Sequence, residues 1–195
     1  MTDLKPVTFR IILIGNAQVG KTSIVQRLVN REFFDHYEET VGAAFFTYTH
    51  TIEGQPILLQ IWDTAGQEKY QSLGPIYYRN SSAAIAIYDQ SDPDSFKILP
   101  DWILAFKESA NVASQIFVVG NKNDLQEVVP QQQAEDFAEE NGYKFFSVSA
   151  KTGQNIDRLF QTVAQELHSI ESTALVQATS INSSKNIDSK RSGCC

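Results

Sequence analysis

The sequence predicts an α/β domain: a six-stranded, mostly parallel sheet with one antiparallel edge strand and five helices on its two faces. Three observations predict it. Short β-rich runs alternate with helical segments along the chain, which is the pattern of βαβ units. Several of those runs are predominantly apolar or β-branched, as strands buried on both faces tend to be. Two runs, 43–52 and 55–63, are separated only by Glu53-Gly54, too short for a crossover and suited to a hairpin turn.

The elements follow in order. Val7 to Ile14 (V-T-F-R-I-I-L-I) is rich in β-branched residues and bounded by Gly15, so it reads as a buried strand. Lys21 to Asn30 puts Ile24, Val25 and Leu28 on one helical face. Residues 31–42 are mixed and charged and read as a loop. Ala43 to Ile52 and Gln55 to Asp63 form the hairpin. Ala83 to Tyr88, Gln115 to Gly120 and Lys144 to Ser149 are three further buried strands. Helical patterns cover 95–110, 130–141 and 156–171. Pro100 lies inside the first, so that helix should begin near Asp101 or bend there. Gly142 follows the second as a C′ residue. No internal repeat is visible. After about residue 174 the periodicity stops and Ser, Asn, Lys and Thr dominate. We therefore expect one domain over 1–174 and a disordered tail over 175–195.

Composition narrows the function. The chain has 195 residues, 42% of them hydrophobic, enough for one packed domain. Its 16 basic and 23 acidic residues give a net charge of −7, a poor match for nucleic-acid phosphates. Met1 to Pro6 has no apolar stretch of the secretory type. Thr2 excludes N-myristoylation. The longest aliphatic run, Ile11 to Ile14, is far short of a membrane span. The only two cysteines, Cys194 and Cys195, are adjacent and cannot build a disulfide framework or a zinc site. A cytosolic protein is expected.

The chemistry begins after the first strand. Gly15-Asn16-Ala17-Gln18-Val19-Gly20-Lys21-Thr22, followed by Ser23, matches G-x-x-x-x-G-K-[ST]. The glycines let successive backbone N–H groups turn inward on phosphate oxygens. Lys21 adds a positive charge for the outer phosphates, and the Thr22 hydroxyl can ligate Mg²⁺. The helix that starts there points its N-terminal dipole at the same anion. This P-loop alone permits ATP or GTP, and hydrolysis or kinase chemistry. Three later segments bear on that choice. Asp63-Thr64-Ala65-Gly66-Gln67-Glu68 follows the third strand; Asp63 can hold the Mg²⁺ hydration shell, Gly66 can bring its N–H to a terminal phosphate, and Gln67 can orient a water. Asn121-Lys122-Asn123-Asp124 follows the fifth strand, at the sheet edge where ligands bind in open α/β folds. The Asp124 carboxylate can accept from guanine N1 and N2, a donor pair adenine lacks. Ser149-Ala150-Lys151 follows the sixth strand and can offer a backbone N–H to guanine O6.

These four motifs, in this order and spacing, resemble the Ras-like small GTPases over residues 7–171. Within them the chain is most similar to Rab proteins. The pointers are Val41-Gly42-Ala43-Ala44-Phe45, Trp62, Lys69-Tyr70-Gln71-Ser72-Leu73, Tyr77-Tyr78-Arg79-Asn80 and the Cys194-Cys195 ending. The G-A-A-F and S-L-G-P-I-Y-Y-R-N stretches look closest to the endosomal Rabs. The resemblance implies a P-loop NTPase G domain that binds GTP and GDP with Mg²⁺. It implies slow GTP hydrolysis and, in the GTP state, recruitment of effectors to membranes for vesicle trafficking. Thr40 would be the switch threonine that ligates Mg²⁺ together with Thr22 and Asp63. Phe33 would cover the guanine edge-on, with Phe34 the neighbouring alternative. Lys122 and Lys151 would lay their stems along the base. Phe45, Trp62 and Tyr77 would form the aromatic triad on which partners dock. Cys194 and Cys195 would carry geranylgeranyl chains, because a CaaX box would need cysteine at Ser192. Exchange factors, activating proteins and escort or dissociation-inhibitor proteins are implied partners of a monomer at the cytoplasmic face of intracellular membranes. Ala17 departs from the glycine of Ras itself and narrows the space near the attacking water.

Overall fold

The computed structural model describes residues 4–34, 40, 42–66 and 74–188, with side chains through residue 174. Six strands form one sheet: β1 (Val7–Ile14), β2 (Ala43–Ile52), β3 (Gln55–Thr64), β4 (Ala83–Asp89), β5 (Gln115–Asn121) and β6 (Lys144–Ser147). Their order is β2-β3-β1-β4-β5-β6. Every neighbouring pair is parallel except β2–β3. That pair turns at Glu53 and Gly54, both with positive φ (49° and 85°), the geometry of a tight two-residue hairpin.

Six helical segments flank the sheet: α1 (Lys21–Asn30), α2 (Gly74–Tyr78), α3 (Pro93–Lys97), α4 (Leu99–Ser109), α5 (Gln131–Glu140) and α6 (Ile156–Asp188). α3 and α4 are one helical run interrupted at Ile98, so the described residues hold the expected number of five helices, of which α2 is one that no helical pattern in the sequence located. The Asp92 side chain caps α3 by accepting from the Asp94 N–H at 3.1 Å. Pro100 falls in the first turn of α4, where its missing N–H costs nothing. The break thus lies two residues ahead of the expected one. α5 ends as expected before Gly142, whose φ is +71°. β6 is shorter than expected. At Val148 and Ser149 the chain already bends into a loop, with the Ser149 hydroxyl accepting from the Thr152 N–H at 3.0 Å.

α6 departs most from expectation. Its periodicity suggested an end near Glu171, but the backbone is helical to Asp188. Neither glycine nor proline occurs between Gly153 and Gly193, so nothing in the local sequence stops the helix.

Strand alternation sorts the core into two layers. Phe9, Ile11 and Leu13 of β1, with Ile57, Leu59 and Ile61 of β3, pack on Ile24, Val25 and Leu28 of α1 and on Leu159, Phe160, Val163 and Leu167 of α6. Ile12, Ile14, Ala84, Ala86 and Tyr88 face the other way, onto Tyr78, Leu99, Trp102, Ile103 and Phe106. Between these layers the sheet is fixed, and its carboxyl edge presents the loops after β1, β3, β5 and β6 side by side. Among the described residues no helix is long and apolar enough to cross a membrane.

Candidate nucleotide-binding site

At that edge the chain leaves β1 through Gly15. Its φ is +135°, and a Cβ there would stand 2.1 Å from the Ile87 carbonyl oxygen of β4. Gly20 (φ +93°) is equally confined, since a Cβ would meet Asn121 Nδ2 at 2.3 Å. The loop therefore lies close against β4 and β5 because it lacks side chains at those two points. Gln18 between them is left-handed too, with φ 62°.

Lys21 opens α1 and is buried. Its Nζ donates to the carbonyls of Gly15 (2.9 Å) and Asn16 (2.7 Å), back across the loop's own mouth. Burial pushes its pKa down to about 8, against a partial upward pull from Asp63. The next residue, Thr22, donates to Asp63 Oδ2 at 2.6 Å, and its hydroxyl lies 2.9 Å from the Thr40 hydroxyl. Asp63 is fully buried, and burial is the main cause that raises its pKa. Its second oxygen, Oδ1, has no partner among the described residues. Two hydroxyls and a carboxylate with a spare buried lone pair suit a hard divalent cation. Among the described residues no group of three or more His, Cys, Asp or Glu is placed to hold a metal ion.

Gly66 ends the described part of the segment after β3. A Cβ there would sit 2.3 Å from Lys21 Nζ and 2.4 Å from the Asn16 carbonyl oxygen. Its backbone thus touches the phosphate loop directly.

The far end of the site is built from β5 and β6. Asn121 is buried and bridges two loops: Nδ2 donates to the Val19 carbonyl at 2.8 Å, and Oδ1 accepts from the Ala150 N–H at 3.1 Å. Asp124 is steadied by the Ser149 hydroxyl, which donates to Oδ1 at 2.5 Å. Lys122 is left-handed (φ 65°), and its Nζ pairs with Asp89 Oδ2 at 2.5 Å. These parts enclose a cavity of about 970 Å³. Ala17, Gln18, Gly20, Lys21, Thr22, Ser23, Phe33, Phe34, Thr40, Asp63, Gly66, Asn121, Lys122, Asp124, Ala150 and Lys151 all line it. Of the two candidate phenylalanines, Phe33 is partly buried against the core and Phe34 is 54% exposed. Gly15, Asn16, Val19 and Ser149 are not among the cavity's lining residues but hydrogen-bond to ones that are: the Gly15 and Asn16 carbonyls accept from Lys21, the Val19 carbonyl accepts from Asn121 and the Ser149 hydroxyl donates to Asp124. Gln67 lies outside the described residues, as do Val41, residues 68–73 and the pair Cys194-Cys195.

The aromatic candidates also converge. Phe45 meets Trp62 edge to face (centroids 5.3 Å apart), and Trp62 meets Tyr77 at 5.9 Å. Phe45 is 50% exposed.

Two supporting residues escaped the sequence reading. Asp89, the last residue of β4, takes Lys122 on one oxygen and the Ser91 N–H and hydroxyl on the other. Gln90 holds the loop that follows β5 by its carbonyl, which accepts from Val128 and Val129. Their position at a carboxyl strand end was the available signal.

A family model described as the Ras family matches residues 10–169. The chain is also 42% identical over 161 residues to a protein named Ras-related protein Rab-5A from Dictyostelium discoideum, covering 82% of this chain and 80% of that one. The chain therefore belongs to the Ras family of small GTPases, within its Rab group, and it binds guanine nucleotide and hydrolyses GTP.

Proposed function

We propose that this GTPase is a membrane-recruiting switch of intracellular vesicle traffic, on the endocytic route. The observation that carries the switch is the meeting of Thr22, Thr40 and Asp63. Thr40 comes from a loop far from the P-loop in sequence, yet its hydroxyl stands within hydrogen-bond reach of Thr22. A γ-phosphate and its metal would hold that loop and Gly66 together, and hydrolysis would let both relax. Similarity to Rab proteins and the G-A-A-F and S-L-G-P-I-Y-Y-R-N stretches support the trafficking assignment.

In this reading the backbone amides of residues 15–22 and Lys21 cradle the phosphates. Thr22, Thr40 and Asp63 hold Mg²⁺, which when bound neutralises charge on the phosphate oxygens. The Gly66 N–H meets the γ-phosphate, and Gln67 orients the attacking water. At the other end Asp124 accepts from guanine N1 and N2, and the 149–151 loop offers a backbone N–H to O6. Lys122 and Lys151 flank the base, with Phe33 over its edge. Phe45, Trp62 and Tyr77 receive effectors. The G domain extends to about residue 174, shortly after Leu167, the last buried residue described. Prenyl groups on Cys194 and Cys195 anchor the chain to the cytoplasmic face of endosomal membranes, two chains giving stable anchoring where one alone is marginal. Exchange factors, activating proteins and escort or dissociation-inhibitor proteins act on it as a monomer.

The test is phosphate release from GTP, with ATP as the competing substrate. Turnover should be slow alone and rise about 10³–10⁵-fold with an activating protein. Gln67→Leu should slow single-turnover hydrolysis at least tenfold; an unchanged rate refutes the role of Gln67. Mass spectrometry of Cys194 and Cys195 from eukaryotic cells tests the anchor, which two unmodified thiols would rule out. Imaging of a tagged full-length chain tests the compartment.

A further inference from the structure

Arg27 lies on α1, beyond Lys21 and Thr22, and does not line the cavity. Its guanidinium makes three hydrogen bonds. Nε donates to the Ala150 carbonyl at 2.8 Å and Nη2 to the Lys151 carbonyl at 2.6 Å. Nη1 donates to the Arg31 carbonyl at 2.8 Å, at the left-handed residue that closes α1. The first two acceptors are consecutive residues of the loop after β6. A planar fork can take both at once, whereas an ammonium group has no such fixed geometry. Asn121 holds the same loop from its other side through the Ala150 N–H. Ala150 is therefore held at both its N–H, by Asn121 of β5, and its C=O, by Arg27 of α1.

We propose that Arg27 is a positioning residue for base recognition. Through it α1, whose first turn carries Lys21 and Thr22, holds the Ala150–Lys151 backbone in place to face the base. Contacts at the phosphate end fix α1, and Arg27 passes that rigidity to the base end. The proposal rests on the reading above that guanine occupies the end of the cavity lined by Asp124 and Lys151. The neighbouring Arg31–Asp157 pair also ties α1 to α6, but both side chains are about half exposed (62% and 46%), where ion pairs contribute little.

The test is release of a fluorescent GDP analogue from the full chain with Mg²⁺. Arg27→Lys should release it about tenfold faster, which corresponds to ~1.4 kcal/mol. Arg31→Ala should stay within about twofold of wild type. Hydrogen exchange in GDP-loaded Arg27→Lys should quicken at amides 149–153 and stay unchanged within 24–30. Arg27→Gln, which keeps an amide donor on a shorter stem, is read the same way should the lysine variant not fold. Release within about twofold of wild type overturns the proposal. So does exchange that quickens equally along α1, because Arg27 would then only stabilise its own helix. Asp124→Asn separates the two levels. If it leaves GDP affinity unchanged, the placement of guanine fails; if it weakens GDP while Arg27→Lys does nothing, only the role of Arg27 fails.

Discussion

With Lys21 beside the phosphates as proposed, GDP affinity should depend on pH. Lys21 Nζ is buried against two carbonyls, and desolvation pushes its pKa to about 8. A phosphate beside it would favour the charged form and carry the pKa back toward its ordinary value of 10.5. The sign follows from linkage. The complex holds a proton that the free protein loses as pH rises through 8, so binding takes up a proton and weakens with rising pH. At pH 8 the free lysine is half charged, and uptake is about half a proton. Between pH 7.5 and 8.5 the ratio of the two protonation terms gives about a threefold loss of affinity, or ~0.7 kcal/mol. The window stops short of loss of guanine's own N1 proton. Calorimetry of Mg²⁺-GDP binding in two buffers of different ionisation enthalpy measures the uptake directly. An affinity flat from pH 7.5 to 8.5, with no buffer dependence, would refute the reasoning: either Lys21 keeps its full charge when unliganded, or it does not meet the phosphates.

Three further outcomes are expected. Gly66→Ala should retain GDP within about threefold but lose most GTP-dependent hydrolysis, because its Cβ would collide with Lys21 Nζ and the Asn16 carbonyl; equal hydrolysis by wild type and variant would contradict the close approach. Asp89→Asn removes the partner of Lys122 and should speed GDP release about three- to tenfold, with the preference for GDP over ADP retained; stopped-flow measurement with both nucleotides checks this. Phe45→Ala should leave GDP affinity and hydrolysis unchanged within about twofold while abolishing capture of GTP-state partners, since Phe45 is exposed and contacts Trp62 rather than the cavity.

Legibility in the sequence followed the distance over which each feature is written. The phosphate loop is contiguous, and its glycines are demanded by collisions with Ile87 and Asn121, so eight residues announced it. The N-K-N-D and S-A-K segments were legible for the same reason, each being short and placed at a strand end. Strand limits were close because alternation and buried runs leave few registers. Asp89 and Arg27 were hidden. Each looks like an ordinary charged residue beside a strand or on a helix, and its meaning comes from partners 33 and 123 or more positions away. The apolar stripe of α6 ends near Glu171 because it reports packing, whereas the helix continues to Asp188 because continuation needs only helix-compatible residues and no breaker. The interruption at Ile98 was placed near Pro100 instead because proline signals a first turn without saying how many residues precede it.

The hairpin register has one more consequence. Ala44 stands opposite Asp63, and Phe45 opposite Trp62, in the same ladder. Successive residues of a strand look out of opposite sides of the sheet. Asp63 and Trp62 are therefore back to back, one among the hydroxyls of Thr22 and Thr40, the other in the aromatic cluster. Related chains could redraw the outward side for new acquaintances while the inward side keeps its timing chemistry, because no side chain has to serve both.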